Sequence, residues 1–232
     1  MATVTHRALF NNSSTTPQTT AAFTPAAGDL IIVFFAATTT VANNPSCVSS
    51  IAGQTFTLIN SGLSRASVDT IYCFVANQFA TAVSQTVTCD TPSDANAGAT
   101  IYVATAASMS RVGPNAVRQS AFQDNKASAS PPTPAFAVAA LTANACLGAM
   151  MNATNPAGMT PPTSWTEGVT DSGFTTPTTG AEYVFRNSGF TGTTVTWGSN
   201  SATASGSVII ELDISVPTQL PASLVMAPRV AA

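Results

Sequence analysis

Charge is the scarcest property of this 232-residue chain. Only 7% of its residues are charged, against roughly a quarter in an average domain. The seven basic residues are scattered, so they form no basic face for nucleic-acid phosphates or anionic lipid headgroups. Apolar residues still make up 45%, which excludes a disordered chain, because disorder needs low hydrophobicity and high charge. We therefore expect a folded protein that binds neither nucleic acid nor membranes.

Long apolar runs are also missing. The longest, from Leu30 to Ala37, is far shorter than the ~20 residues of a membrane-spanning helix. The first residues, Met1 to Arg7, contain no apolar segment of the kind found in secretory signal peptides. We therefore expect synthesis in the cytoplasm without a signal peptide.

The four cysteines show no CxxC spacing, which argues against a zinc site. Cys73 and Cys146 lie inside apolar strand patterns, where cysteine behaves as a small buried hydrophobic residue. Cys47 and Cys89 flank loops, and a bridge between them is one alternative. Without a signal peptide, free thiols are the favoured prediction for both.

Serine and threonine together supply roughly a quarter of the chain, and β-branched threonine favours strands. Short apolar runs at period two recur between glycine, proline and asparagine turns, and long helical patterns are absent. The pattern predicts an all-β antiparallel sandwich of about thirteen short strands. They are Val4–Phe10, Thr20–Thr24, Asp29–Ala37, Gln54–Ile59, Thr70–Val75, Gln85–Cys89, Thr100–Ala107, Ala135–Leu141, Cys146–Asn152, Ser164–Val169, Gly180–Arg186, Thr193–Trp197 and Ser207–Ile214.

The two halves of the chain carry similar strings about 110 residues apart. Phe23 aligns with Phe136, Tyr72 with Tyr183, and Gln85–Cys89 resembles Thr193–Trp197. Any two β-meanders align by alternation alone, so duplication and chance similarity both stay open. We expect one sandwich domain over residues 1–215, with two tandem seven-strand domains as the alternative.

The C-terminal stretch, residues 216–232, differs from the rest. Its three prolines and scattered apolar residues cannot form a central strand. We expect a tail that docks on a neighbouring subunit or back on its own domain. Its anchors would be Leu220, Leu224, Val225 and Met226.

Residues for enzymatic chemistry are few. Any Ser-His-Asp or Cys-His system must use the single histidine, His6, and no GxSxG nucleophile elbow is present. A surface or interface role in the first strand is favoured for His6. Glu167, Glu182 and Glu211 could face a sugar as in glycosidases, but structural pairing, such as Glu182 with Arg186, is favoured. We predict no catalytic residue and no enzyme.

Ligand motifs are equally sparse. Asp90 and Asp94 resemble a loose calcium loop, but the EF-hand spacing and its terminal glutamate are missing. Phosphate-binding glycine motifs are absent as well. Five aromatic residues could stack on sugar rings if exposed together, although aromatics at alternating strand positions are more often core. These are Trp165, Trp197, Tyr72, Tyr102 and Tyr183. We predict no cofactor and no metal.

Five strings follow one another in a characteristic order. A P-x-x-G-D-L turn at Pro25–Leu30 leads into a buried strand, and a W-T strand follows a proline-rich loop at Pro161–Glu167. Ala181–Tyr183, Thr194–Trp197 and Gly206–Glu211 come next. This order resembles jelly-roll sandwich proteins encoded by tailed bacteriophages. The resemblance covers most of residues 1–215 and leaves out the C-terminal tail.

The resemblance implies a jelly-roll-like fold and a structural virion protein, of the capsid decoration (cement) type, on the capsid exterior. Its partners would be the major capsid protein and further copies of itself in a homotrimer. The family offers no active-site residues to carry over. A charge-poor surface suits a large permanent interface, where charged residues are depleted. The alternatives are a phage tail, fibre or head-spike module, or a carbohydrate-binding module that recognises a host surface.

Overall fold

The computed structural model describes residues 1–15, 17–38, 44–65, 69–91, 97–126, 130–152, 159–175, 178–200 and 204–215. These ranges contain fifteen strands and one short 3-10 helix, η1 (Gly113–Ala116). In chain order the strands are β1 (Thr3–Thr15), β2 (Gln18–Thr19), β3 (Leu30–Thr38), β4 (Ser46–Ser49), β5 (Phe56–Arg65), β6 (Asp69–Ala76), β7 (Val87–Asp90), β8 (Ala97–Ala107), β9 (Val117–Lys126), β10 (Cys146–Asn152), β11 (Met159–Thr160), β12 (Thr166–Thr175), β13 (Thr178–Arg186), β14 (Ser199–Asn200) and β15 (Ser205–Leu212).

The strands form two large sheets and two small ones. Sheet 1 has the order β1-β8-β3-β6-β5, and sheet 2 has the order β12-β13-β10-β15-β9. A three-stranded outer sheet, β2-β7-β4, and the pair β11-β14 complete the set. Every pairing is antiparallel. The predicted all-β antiparallel sandwich is confirmed.

Three apolar layers hold the sheets together. The central layer lies between sheets 1 and 2 and joins Phe34 and Tyr102 of the first to Leu147 and Tyr183 of the second. A second layer lies between sheet 1 and the outer sheet, and a third lies under the loops that cover sheet 2. The central strands of sheet 1 are therefore buried on both faces. This explains why all nine residues of β3 are buried and why its sequence is continuously apolar rather than alternating.

Both halves of the chain build their large sheet in the same order. The first half gives β1-β8-β3-β6-β5, and the second gives β9-β15-β10-β13-β12. Each half also carries an isolated bridge at the matching place, Phe23 with Gln85 and Ala135 with Thr194. A shared strand order and matching bridges are what an internal repeat of the sequence predicts.

The register corrects one pair in the sequence alignment of the two halves. Cys73 pairs with Phe34 in sheet 1, and Tyr183 pairs with Ala149 in sheet 2, and all four lie in the central layer. Tyr72 instead packs in the layer beneath the outer sheet. Cys73, rather than Tyr72, is therefore the counterpart of Tyr183, because a shift of one residue turns a strand side chain to the other face.

Three predicted strands are not strands. Thr20–Thr24, Ala135–Leu141 and Thr193–Trp197 contain only isolated bridges. They lie over the large sheets with one side buried, so they alternate in polarity without forming a ladder. Their backbones bond each other at intervals, as in the 2.9 Å bond from the Phe136 amide to the Thr193 carbonyl. Conversely, β4, β9 and the two-residue strands β2, β11 and β14 were not predicted. The residues of β4 and β9 are mostly polar, as expected for edge strands.

Candidate interaction surfaces

His6 lies in β1 and is half-buried. Its ring stacks on Tyr102 with 5.1 Å between ring centroids and 22° between planes. Its Nδ1 atom is buried and has no hydrogen-bond partner. Burial lowers the pKa of His6, because desolvation disfavours the imidazolium. The contacts of His6 are therefore those of a packing residue at the edge of the central layer.

The three glutamates singled out from the sequence have different surroundings. Glu167 is exposed, whereas Glu182 and Glu211 are fully buried. Glu211 accepts hydrogen bonds from Arg118 at 2.6 Å, from the Leu141 amide at 2.8 Å and from Asn144 at 2.7 Å. These bonds fasten the 138–144 segment to β15. The structural role predicted for Glu211 matches this geometry.

Arg186, the proposed partner of Glu182, donates to the carbonyl oxygens of Ser188 and Gly189 at 3.1 and 2.8 Å. It therefore closes the turn that follows β13. Of the calcium candidates, Asp90 ends β7 and Asp94 lies outside the described residues. Within the described part of the chain, no three His, Cys, Asp or Glu side chains come together as a metal site would require.

The aromatic residues proposed as a sugar platform are core residues. Trp165 is 8% exposed and Trp197 is fully buried, where its Nε1 donates to Ser207 Oγ at 2.8 Å. Tyr72, Tyr102 and Tyr183 are buried as well. The sugar platform is therefore wrong at these positions, and the core interpretation is confirmed.

All four cysteines are buried free thiols. Cys73 and Cys146 are fully buried, as the sequence predicted. Burial, reinforced by the Glu211 carboxylate and opposed by Arg186 and Arg118, raises the pKa of Cys146 to about 12. Burial raises the pKa of Cys73 as well, so Cys73 and Cys146 are protonated at neutral pH and behave as packing groups.

The outer sheet presents a hydroxyl-rich surface, which we call the threonine face (Thr19, Ser46, Val48, Thr88 and Asp90). Thr19 pairs with Thr88 across the β2–β7 ladder, and Thr88 pairs with Val48 across the β7–β4 ladder. The three side chains thus form one row, in which the Thr19 and Thr88 hydroxyls are 2.8 Å apart. Val48 is 52% exposed. Asp90 is the one charged residue in these three strands.

A second surface, the edge cleft, lies where β5 of sheet 1 meets β9 of sheet 2. Asn60 donates to Ser120 Oγ at 3.0 Å, and the Leu63 amide donates to Asp124 at 2.6 Å, so side chains fasten the two edges together. The cleft has a volume of about 350 Å³. Its lining includes Leu58, Leu63, Thr70, Tyr72, Phe122 and Asp124.

The edge cleft combines apolar and hydrogen-bonding groups. Phe122 is 52% exposed, more than any other aromatic side chain that the structure describes. Asp124 is an acceptor on the rim. Thr70 Oγ1 lies buried beneath the cleft without a hydrogen-bond partner. No lysine, arginine or histidine is among the described lining residues, so the cleft suits a neutral ligand with hydroxyl groups better than an anion.

The predicted partner-binding residues lie outside the described residues. Leu220, Leu224, Val225 and Met226 belong to residues 216–232, which follow the last described residue. The chain is described up to Ser215. Its carbonyl accepts bonds from Ser110 Oγ at 3.0 Å and Arg111 Nε at 3.2 Å. The tail therefore starts from a fixed point beside η1.

The chain matches no protein-family model, no curated protein and no solved structure. Among the described residues, no helix has the length and apolarity needed to cross a bilayer.

Proposed function

We propose that the chain is a structural virion protein that decorates a phage capsid and docks through the threonine face. The order of sequence strings that resembles phage jelly-roll proteins supports this proposal. The observation that carries it is the row of Thr19, Thr88 and Val48 on a three-stranded sheet with a single charge. Charged residues are depleted at the centre of permanent interfaces, because their desolvation is costly.

The strand order supports a jelly-roll description of the first half. Its eight strands divide into a five-stranded and a three-stranded sheet, and the first strand, β1, pairs with the last, β8. Two interlocked Greek keys produce this kind of division. This strand order supports the jelly-roll fold that the sequence resemblance implies.

Rigidity makes the threonine face suitable for docking. Its strands lie on a buried apolar layer that includes Val87 and Cys89 of β7 and Cys47 of β4. A surface that is already ordered loses little conformational entropy on binding, so contacts between neutral polar and apolar groups can be sufficient. We expect the partner to be the major capsid protein, with a homotrimer as the docking unit.

A charge placed in the row tests this function. Val48→Lys should abolish binding to purified capsids that lack the protein, because the interface would have to desolvate an ammonium group. Val138→Lys is the matched control, since Val138 is also 52% exposed but lies on the opposite half of the sandwich. Co-sedimentation and the capsid disruption temperature are the measurements. Equal binding of Val48→Lys and wild type would contradict the docking face.

Particle composition tests the wider proposal. A decoration protein should be present in hundreds of copies in purified virus particles, because it repeats over the icosahedral shell. Quantitative mass spectrometry against the major capsid protein gives the copy number. A dozen copies would indicate a tail or fibre part. Absence of the chain from the particles would contradict a virion protein of any kind.

The edge cleft favours a second candidate function, recognition of a host-surface glycan. A pyranose has an apolar face for Phe122 and hydroxyl groups for Asp124, and a volume of about 350 Å³ is within the range of small-molecule sites. Methyl glycosides of neutral hexoses should produce saturation-transfer NMR signals with dissociation constants of about 1 mM. Phe122→Ala should weaken binding roughly tenfold, whereas Val138→Ala should not. Absence of any signal from the panel would discard this candidate.

A further inference from the structure

Cys47 and Cys89 lie directly opposite each other in the outer sheet. They are register partners in the antiparallel pair β4–β7, and both side chains point into the layer beneath the threonine face. The other two cysteines have different neighbours across their ladders. Cys73 faces Phe34 and Asn60, and Cys146 faces Arg186 and Glu211. One pair of thiols is therefore placed for a specific reaction.

The hydrogen-bond pattern shows which kind of cross-strand pair this is. The Ser50 amide donates to the Thr86 carbonyl at 3.0 Å, which makes Ser50 and Thr86 a hydrogen-bonded pair at the end of the β4–β7 ladder. Hydrogen-bonded and non-hydrogen-bonded pairs alternate along an antiparallel ladder. Cys47 and Cys89 are three pairs along the ladder from Ser50 and Thr86, so they form a non-hydrogen-bonded pair.

The second ladder of β7 gives the same result. The Thr20 amide donates to the Val87 carbonyl at 2.9 Å, so Val87, and two residues later Cys89, direct their backbone bonds toward β2. The Cys89 backbone therefore turns away from β4. In a non-hydrogen-bonded pair the Cα atoms are about 4.5 Å apart and the side chains are closest. That separation is inside the range of about 4.4–6.8 Å that a disulfide requires.

We propose that Cys47 and Cys89 form a modification site, at which a small-molecule disulfide oxidises the two thiols to a cross-strand disulfide that locks β4 to β7. The two sulfur atoms can form this bond without movement of either strand. The lock lies directly under Val48 and Thr88, so it fixes the curvature of the threonine face. The importance of this curvature for capsid docking rests on the function proposed above, whereas formation of the disulfide does not.

The reaction balances with a low-molecular-weight disulfide such as oxidised glutathione. The Cys47 thiolate attacks one sulfur of the oxidant, forming a mixed disulfide and expelling one glutathione thiolate. The Cys89 thiolate then attacks the Cys47 sulfur and expels the second. The protein loses two protons and two electrons, and the oxidant becomes two thiols.

The location of the pair predicts a slow reaction in the folded protein. Cys47 is 7% exposed and Cys89 is fully buried. Burial raises the pKa of Cys47, and the neighbouring Cys89 thiol raises it further, so little thiolate exists at neutral pH. Oxidation therefore proceeds when the short edge strand β4 opens locally. A chain made in a reducing cytoplasm stays reduced and becomes cross-linked after release into an oxidising medium.

Mass spectrometry of the full chain tests the proposal. Wild-type protein incubated with oxidised glutathione at pH 8 should lose about 2 Da, and a non-reduced digest should join the Cys47 and Cys89 peptides. The melting temperature should rise by on the order of 5 °C, because the cross-link restricts the unfolded chain. Cys73→Ser, the matched control, should still lose the two hydrogens.

The variants separate the proposed reaction from other oxidation. Cys47→Ala should keep its full mass or gain one glutathione, and so should Cys89→Ala. A wild-type chain that keeps its mass after prolonged oxidation overturns the proposal, as does a digest that joins Cys73 or Cys146 to another cysteine. Loss of capsid binding in Val48→Lys reports on the docking function alone, because that variant retains both thiols.

Discussion

Tyr102 of sheet 1 and Tyr183 of sheet 2 stack face to face across the central layer. Their ring centroids are 4.8 Å apart and their planes differ by 7°. His6 also stacks on Tyr102, and the Tyr183 hydroxyl shares a hydrogen bond with Thr100. The two halves of the chain are thus joined through an aromatic stack. The two tyrosines differ in whether the hydroxyl group has a hydrogen-bond partner.

The Tyr102 hydroxyl is buried and has no hydrogen-bond partner. We expect Tyr102→Phe to raise the free energy of unfolding by about 1 kcal/mol, because it removes an unsatisfied polar group and keeps the stack. Tyr183→Phe should lower it by about 1 kcal/mol, because the hydrogen bond to Thr100 is lost. Urea denaturation measures both. Equal losses in the two variants would contradict the difference between the two hydroxyls.

Gly168 is required by the position of Tyr102. A Cβ atom on Gly168 would overlap the hydroxyl and two ring carbons of Tyr102, which the stack prevents from moving freely. Gly168→Ala should cost about 2 kcal/mol, within the usual range for overpacking. The loss should be smaller in the Tyr102→Phe background, because one of the overlapping atoms is then gone. A double-mutant cycle gives the coupling, and simple additivity would disprove the contact.

Glu211 should be the most sensitive carboxylate. It is fully buried and holds Arg118, Asn144 and the Leu141 amide. Glu211→Gln should lower the free energy of unfolding by about 3 kcal/mol, because the Arg118 guanidinium loses its buried counter-charge. Asp213→Asn is the control, since its half-buried pair with Arg111 should contribute at most about 1 kcal/mol. Thermal denaturation of both variants measures the difference.

His6 should make stability depend on pH in one direction. Its pKa in the folded chain is below the ordinary value of 6.5, so below that pH the unfolded chain binds the proton more readily. Stability should therefore fall as the pH decreases from about 6.5 through the lowered pKa. Well above pH 6.5, His6 should not make stability depend on pH. His6→Phe keeps an aromatic ring without the titration. Its stability relative to wild type should rise on acidification, and a constant difference from pH 7.5 to 5 would refute this.

The C-terminal tail remains a prediction that deletion can test. Removing residues 217–232 should lower the oligomeric mass in light scattering if Leu220, Leu224, Val225 and Met226 anchor a neighbouring subunit. The described chain should keep its fold, because Ser215 is already held by Ser110 and Arg111. Unchanged assembly would leave only docking on the tail's own domain, which a lower melting temperature would then reveal.

Much of the fold is predictable from local sequence properties. The continuously apolar run at Leu30–Ala37 identifies a strand buried on both faces, and β10 has the predicted bounds, Cys146–Asn152. The three segments that were wrongly predicted to be strands share one physical reason. Thr193–Trp197 alternates because one side rests on sheet 2, and alternation reports one-sided burial whether or not a neighbouring strand completes a ladder.

The surfaces were far less predictable than the strands. Trp165 and Trp197 are core residues, as their alternating strand positions favoured, while Phe122, in a polar edge strand, is exposed at the edge cleft. No local signal reveals the exposure of Phe122, because the exposure of an aromatic ring depends on what the rest of the chain packs over it.

The sequence by itself determined the all-β class, the burial of Cys73 and Cys146 and the scarcity of charge, since these follow from composition and from the two-residue period of a strand. Only the tertiary structure decided that two sheets of the same strand order share a central layer, that Thr19, Thr88 and Val48 form a row, and that Cys47 faces Cys89. Each of these depends on register between segments far apart in the chain. Register is fixed by the packing of whole layers, because a slip of one residue would turn every buried side chain of a strand outward.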